Sequence, residues 1–134
     1  MQKQLRGHKS YSFKIEAPLI LPRWVAAILK DVYKTLILNQ MYFYIESSKK
    51  IKEGKRWYYA SSTKLHNRDF PFMCAKTIQR KLKELVELGY LITEDYNKLP
   101  YDRTKWYAIN YKKLDELDDA AYNLYQEYTE KPDE

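Results

Sequence analysis

Residues 70–111, FPFMCAKTIQRKLKELVELGYLITEDYNKLPYDRTKWYAINY, constrain the fold more than any other part of the chain. Ile78, Leu82, Leu85 and Gly89 recur at spacings of four, three and four, which predicts a helix over 74–88 with one apolar face. Gly89 reads as its C-terminal stop, because a left-handed residue satisfies the last carbonyls and glycine reaches that conformation at least cost. Tyr90–Tyr96 and Lys105–Tyr111 then alternate like strands. The segment NKLPYDRT between them, with Pro100 and Asp102, reads as a loop. The unit is a helix, a stop and a two-stranded hairpin with a basic tip.

The flanking segments supply more helices. Ile15–Leu21 is an apolar run broken by Pro18. Pro22 suits a first helical turn, followed by the short stripe Trp24, Val25, Ile28 and Leu29. Asp31 can cap a helix reaching about Ile45, with Tyr33, Ile37, Met41, Tyr44 and Ile45 on one face. That helix is apolar almost all round, which predicts a central, buried position. SSKKIKEGKR (47–56) reads as a charged loop around Gly54, and Trp57–Tyr59 as a short strand. Ser61 or Ser62 suits the cap of a helix to about Arg68. Pro71 ends that helix, and Phe70 and Phe72 are expected to anchor the turn in the core.

The last helix is predicted over 112–129. Its stripe of Leu114, Leu117, Ala121, Leu124 and Tyr128 suits either packing on its own domain or self-association as a homodimer. Residues 1–14 read as a flexible arm and 130–134 as a tail or linker. The expected class is α+β, mostly helical, with a small antiparallel hairpin and a C-terminal helix. The central domain spans 15–111.

Charge is unevenly placed. The net charge is +6, but residues 1–114 hold 23 Lys and Arg against 10 acids, a net of +13. Residues 115–134 hold one Lys and 8 acids, a net of −7. A basic body with an acidic tail suits a polyanionic partner. Aromatic residues make up 16%, with 14 tyrosines, which suits half-buried strands or a surface that stacks on flat groups.

Other classes find little support. The single cysteine, Cys74, excludes an internal disulfide and a Cys-based zinc cluster. Two histidines, His8 and His66, do not make a metal site. No apolar run is long enough to span a membrane, and the N-terminus lacks a signal-peptide core. A reduced, cytoplasmic setting is expected. Gly7, Gly54 and Gly89 are the only glycines, so no phosphate-cradling loop exists. No nucleophile has an evident base and no carboxylate cluster has metal spacing. A non-enzyme without cofactors is expected.

The outward face of helix 74–88 offers Lys76, Thr77, Gln79, Arg80 and Lys83. Arg and Gln can pair two atoms of a base edge, while Lys and Thr hold phosphates. An α-helix fits the major groove of B-DNA. At the hairpin, Asn97, Lys98, Tyr101, Arg103 and Lys105 could meet the backbone or minor groove. Lys64, Asn67 and Arg68 on the preceding helix are candidate backbone contacts. Lys49, Lys50, Lys52, Lys55 and Arg56 add charge at an unassigned place.

The FPF turn, TIQRKLKELVELGYL and YNKLPYDRTKWYAINY together resemble the winged helix-turn-helix domain of replication proteins from phages and mobile elements of Gram-positive bacteria. These are the replisome organisers, or DnaD-like N-terminal domains. The resemblance covers about a third of the chain, and the hairpin phrase is its more specific part. It implies binding of origin or repeat double-stranded DNA, often as an oligomer, and recruitment of replication proteins such as a helicase or helicase loader. It places Thr77, Gln79, Arg80 and Lys83 on a recognition helix, and Lys98, Arg103 and Lys105 on a wing. Cys74 stands where such domains usually carry a capping Ser. A cysteine there could also serve as a redox switch. A winged-helix transcriptional regulator would use the same contacts, and a protein-interaction module could use the winged helix or the acidic last helix.

Overall fold

The computed structural model describes residues 17–98 and 104–130. Its order is α1 (Arg23–Leu29), α2 (Val32–Glu46), β1 (Lys50–Lys52), β2 (Lys55–Ala60), α3 (Ser62–Arg68), α4 (Ala75–Glu87), β3 (Leu91–Glu94), β4 (Lys105–Ile109) and α5 (Tyr111–Thr129). Helices and one antiparallel sheet of order β1-β2-β4-β3 make an α+β fold. The arm at 1–14, Tyr101 and Arg103 of the hairpin tip, and most of the tail lie outside the described residues.

α1 is bounded by Pro22 and by Lys30, whose left-handed φ of 56° turns the chain sharply into α2. Asp31 caps α2, its Oδ1 accepting from the Lys34 N–H at 2.9 Å. α2 buries Ile37, Leu38, Met41 and Ile45. It is not buried all round as its composition suggests: Val32 and Phe43 are each 52% exposed, and Tyr33 is 43% exposed. Its inner side meets α4, β2 and β4, and its outer side keeps apolar residues in water.

The charged loop at 47–56 is instead a hairpin. Glu53 and Gly54 both have positive φ, 54° and 73°. A two-residue turn of that kind matches the right-handed twist of its strands. Lys50 pairs with Trp57, and Lys52 with Lys55. The strand expected at Trp57–Tyr59 is therefore longer at both ends. Apolar alternation could not reveal β1, because all three of its residues are exposed.

β2 pairs with β4, setting Tyr58 opposite Tyr107 and Ala60 opposite Lys105. β3 pairs with β4, setting Leu91 opposite Ile109 and Glu94 opposite Trp106. β2 precedes α3 and α4 in the chain, and β4 follows them, so this pairing ties the helix pair to the hairpin. Ala60, Tyr107, Ile109 and Leu91 join Leu65, Ile78, Leu82 and Leu85 in the core. The strand expected to reach Tyr111 ends at Ile109, because the Asn110 side chain accepts from the Lys113 N–H at 3.3 Å and starts α5.

The stripe on α5 faces its own chain. Leu117 and Ala121 are buried, and Leu114 packs against the core. Leu124 is half-buried. Trp24 of α1 meets Tyr125 at 6.0 Å and stacks on Tyr128 at 5.6 Å between ring centroids. Of the two options open to this stripe, intramolecular packing takes Leu117 and Ala121. A seam between two copies cannot also use them.

Candidate nucleic-acid interface

Ser61 caps α3, its hydroxyl accepting from the Lys64 N–H at 3.1 Å. After α3 the chain drops Phe70 fully into the core, whereas Phe72 is 52% exposed. Only one of the two phenylalanines therefore anchors the turn; Phe72 lies outside against Tyr33, centroids 5.9 Å apart. His66 Nδ1 hydrogen-bonds the Met73 carbonyl at 2.6 Å, which gives this histidine a place in the turn.

α4 begins at Cys74. The thiol lies 3.2 Å from the Thr77 hydroxyl. That contact, helped by the backbone N–H groups of the first turn, holds its pKa below the ordinary thiol value. At the other end Gly89 has φ +91°. The Gly89 N–H bonds the Val86 carbonyl and the Tyr90 N–H bonds the Leu85 carbonyl, each at 3.0 Å. These two crossed bonds close the last turn as a left-handed stop requires.

A charge cluster sets the rotation of α4. Lys81 reaches Asp31 at 2.5 Å, and Lys34 reaches Glu84 at 3.1 Å. Burial raises the Asp31 pKa, but Lys81 and Lys34 outweigh it and hold the carboxyl below its ordinary value. Glu84 is likewise held low, chiefly by Lys34. Thr77, Lys81 and Glu84 form one flank of the helix, at spacings of four and three. With that flank turned to α2, Lys76, Gln79, Arg80 and Lys83 form the outward stripe, and all four are exposed.

This stripe walls a groove of about 590 Å³. The opposite wall is Ser61 and Ser62 at the start of α3, with Thr93, Thr104 and Lys105 from the hairpin. The Lys105–Ala60 pairing brings this end of the hairpin beside the start of α3. Four of the five residues expected to read DNA from α4 thus share one concavity with Lys105. Thr77 does not: it sits on the flank and contacts Cys74. Arg80 lies 3.9 Å from Glu84, but its side chain is 61% exposed, so it is loosely held.

Two other expected contacts are engaged within the protein. The Arg68 guanidinium donates to Asp69 at 3.1 Å and to the Tyr58 hydroxyl, and lies 4.5 Å from the centre of the Tyr44 ring. The hydrogen bond to Tyr58 raises its pKa above the usual arginine value. Tyr44 and Tyr58 stack at 4.7 Å, and Tyr44 also donates to Asp69 at 2.5 Å. Arg68 is therefore the lid of an aromatic and acidic cluster. Asn97 donates to the Thr104 carbonyl at 2.6 Å and accepts from the Trp106 indole at 2.9 Å. It clamps the neck of the hairpin. Lys64, Asn67 and Lys98 are exposed. Sequence reasoning did not place Ser61, Ser62, Thr93 and Thr104 at the site, because their meeting across the groove depends on strand pairing.

Among the described residues no group of three or more His, Cys, Asp or Glu could hold a metal ion. No described helix is long and apolar enough to cross a membrane. Compared with known proteins, the chain matches no family model, no curated protein and no solved structure.

Proposed function

We propose that this protein binds double-stranded DNA as a winged helix-turn-helix domain, with α4 in the major groove and the β3–β4 hairpin as the wing on the flanking backbone. The reading rests on one observation: Lys76, Gln79, Arg80 and Lys83 line a single groove whose other wall carries Lys105 and the hydroxyls of Ser61 and Ser62. Cations and hydroxyls hold phosphates, and Gln79 and Arg80 offer paired donors for base edges. The helix order α2, β2, α3, α4 followed by the hairpin suits this mode. Initiation of replication on a phage, plasmid or integrated element is the leading role, carried by the hairpin phrase YNKLPYDRTKWYAINY. A transcriptional regulator would use the same contacts, and genome-wide occupancy separates them: one origin-like cluster or scattered promoters.

The test is duplex binding as a function of salt. Each phosphate contact releases a counterion, so affinity should fall steeply as salt rises. Arg80→Ala should cost about 1–3 kcal/mol and relax base preference at one position. Lys83→Ala should instead weaken all sequences alike and flatten the salt slope. No duplex binding at low salt, or a flat salt response, would overturn the reading.

A further inference from the structure

The sheet has a second face that the duplex groove does not use. Along β2 and β4, Tyr58, Ala60, Tyr107 and Ile109 point to the helices, so Trp57, Tyr59, Trp106 and Ala108 point to the other side. The outer face of a sheet layered on helices ordinarily carries polar residues. Here it carries rings. Trp57 and Ala108 are buried outside the main core. Over them lie Tyr59 and Trp106, centroids 5.1 Å apart, and Tyr96, which sits edge-on 5.1 Å from Trp57 and 5.9 Å from Trp106. Tyr59, Tyr96 and Trp106 are all half-buried.

The neighbouring hairpin adds cations to this face. Lys50 Nζ stands 5.6 Å from the centre of the Trp106 ring, and Lys52 Nζ stands 5.4 Å from that of Tyr96. Lys55, opposite Lys52, shares the face. Glu94, opposite Trp106, and Glu53 at the turn are the acids nearby. The three lysines are exposed, and among the described residues the Lys50 and Lys52 ammoniums meet a ring and no carboxylate. An ammonium that moves to a phosphate frees the ring for a base.

We propose that this outer face is a platform for single-stranded DNA, on which bases stack against Trp106, Tyr59 and Tyr96 while Lys50, Lys52 and Lys55 hold the phosphates. Aromatic rings set among cations are the means by which proteins hold single strands without reading sequence. The choice of DNA rests on the duplex reading above, because a strand opened beside the groove has this face of the same sheet within reach.

The experiment is fluorescence anisotropy of a labelled oligothymidylate of about 15 nucleotides, a length suited to one small domain, alongside a duplex probe. Lys50→Glu with Lys52→Glu should weaken the oligothymidylate about tenfold and leave duplex affinity much less changed. Trp106→Ala should also weaken the oligothymidylate and lose the tryptophan quenching that the strand induces; because it removes the Asn97 contact at the neck of the wing, the comparison with duplex rests on the lysine pair. If Trp106→Ala does not fold, the surface lysine pair decides. Lys76→Glu with Lys83→Glu should give the opposite pattern, which keeps failure of this proposal distinct from failure of the duplex reading. Wild-type oligothymidylate binding by the Lys50/Lys52 variant would overturn the proposal. So would tighter binding of oligouridylate RNA, or equal competition by polyglutamate, which would mark an acidic protein partner.

Discussion

The two carboxylate oxygens of Asp31 serve different elements. Oδ1 caps α2, and Oδ2 holds Lys81 of α4. The cap was legible in the sequence, because an Asp before an apolar run at helical spacing has few other uses. The partner fifty residues away was not, since no local rule links them. The charge has a consequence for acid stability. Its folded pKa lies below the ordinary 3.8, so the unfolded chain takes up the proton first. The stabilisation is complete above 3.8 and is lost as pH falls through the folded value. Asp31→Asn keeps a capping oxygen but loses the ion pair. We expect it to cost about 1–2 kcal/mol at neutral pH. We also expect its stability to fall less between about pH 5 and about pH 2 than that of the wild type. Urea midpoints across that range measure both effects. A parallel acid limb in the two proteins would show that Asp31 does not carry this linkage.

At the scale of elements, α4 is the part that the sequence describes most fully. Its apolar stripe, its start at Cys74 and its stop at Gly89 are all local features, and the structure has them. Gly89→Ala tests the stop. A Cβ at φ +91° is strained in itself and would also meet the Lys113 side chain at 3.3 Å. The lysine is flexible and can yield, so the backbone term dominates. A loss of roughly 1–2 kcal/mol is expected in thermal or urea unfolding. Stability equal to the wild type would mean that the crossed hydrogen bonds at the helix end matter little. The β1–β2 hairpin shows the opposite case. KIKEGK contains lysines where a strand signal needs apolar residues, and only Gly54 hints at a turn. Pairing with β2, and the burial of Trp57 beneath, make it a strand. Asn97 and Arg68 likewise look like free polar contacts in the sequence, yet their partners, Trp106, Thr104, Asp69 and Tyr58, are brought to them by folding.

Across the whole molecule, α5 decides how far the domain extends. Its stripe fits a packed helix, or a short coiled-coil seam of only about two heptads. In the structure it closes the core through Leu117 and rests on α1 through Trp24. Leu117→Ala should therefore cost about 2–5 kcal/mol by leaving a cavity, with no change of mass in solution. Dissociation of a dimer at unchanged monomer stability would restore the seam. The acidic residues of α5 and its Tyr122 remain exposed. The sequence by itself determined the helices, the cap at Asp31, the stop at Gly89 and the stripe Lys76, Gln79, Arg80 and Lys83, because each depends on spacings within one element. The tertiary structure alone decided that this stripe faces Lys105 across a groove, that Thr77 and Arg68 turn away, and that the last helix packs inward. Those outcomes depend on strand pairing between β2 and β4 and on ion pairs between α2 and α4, which join residues far apart in the chain.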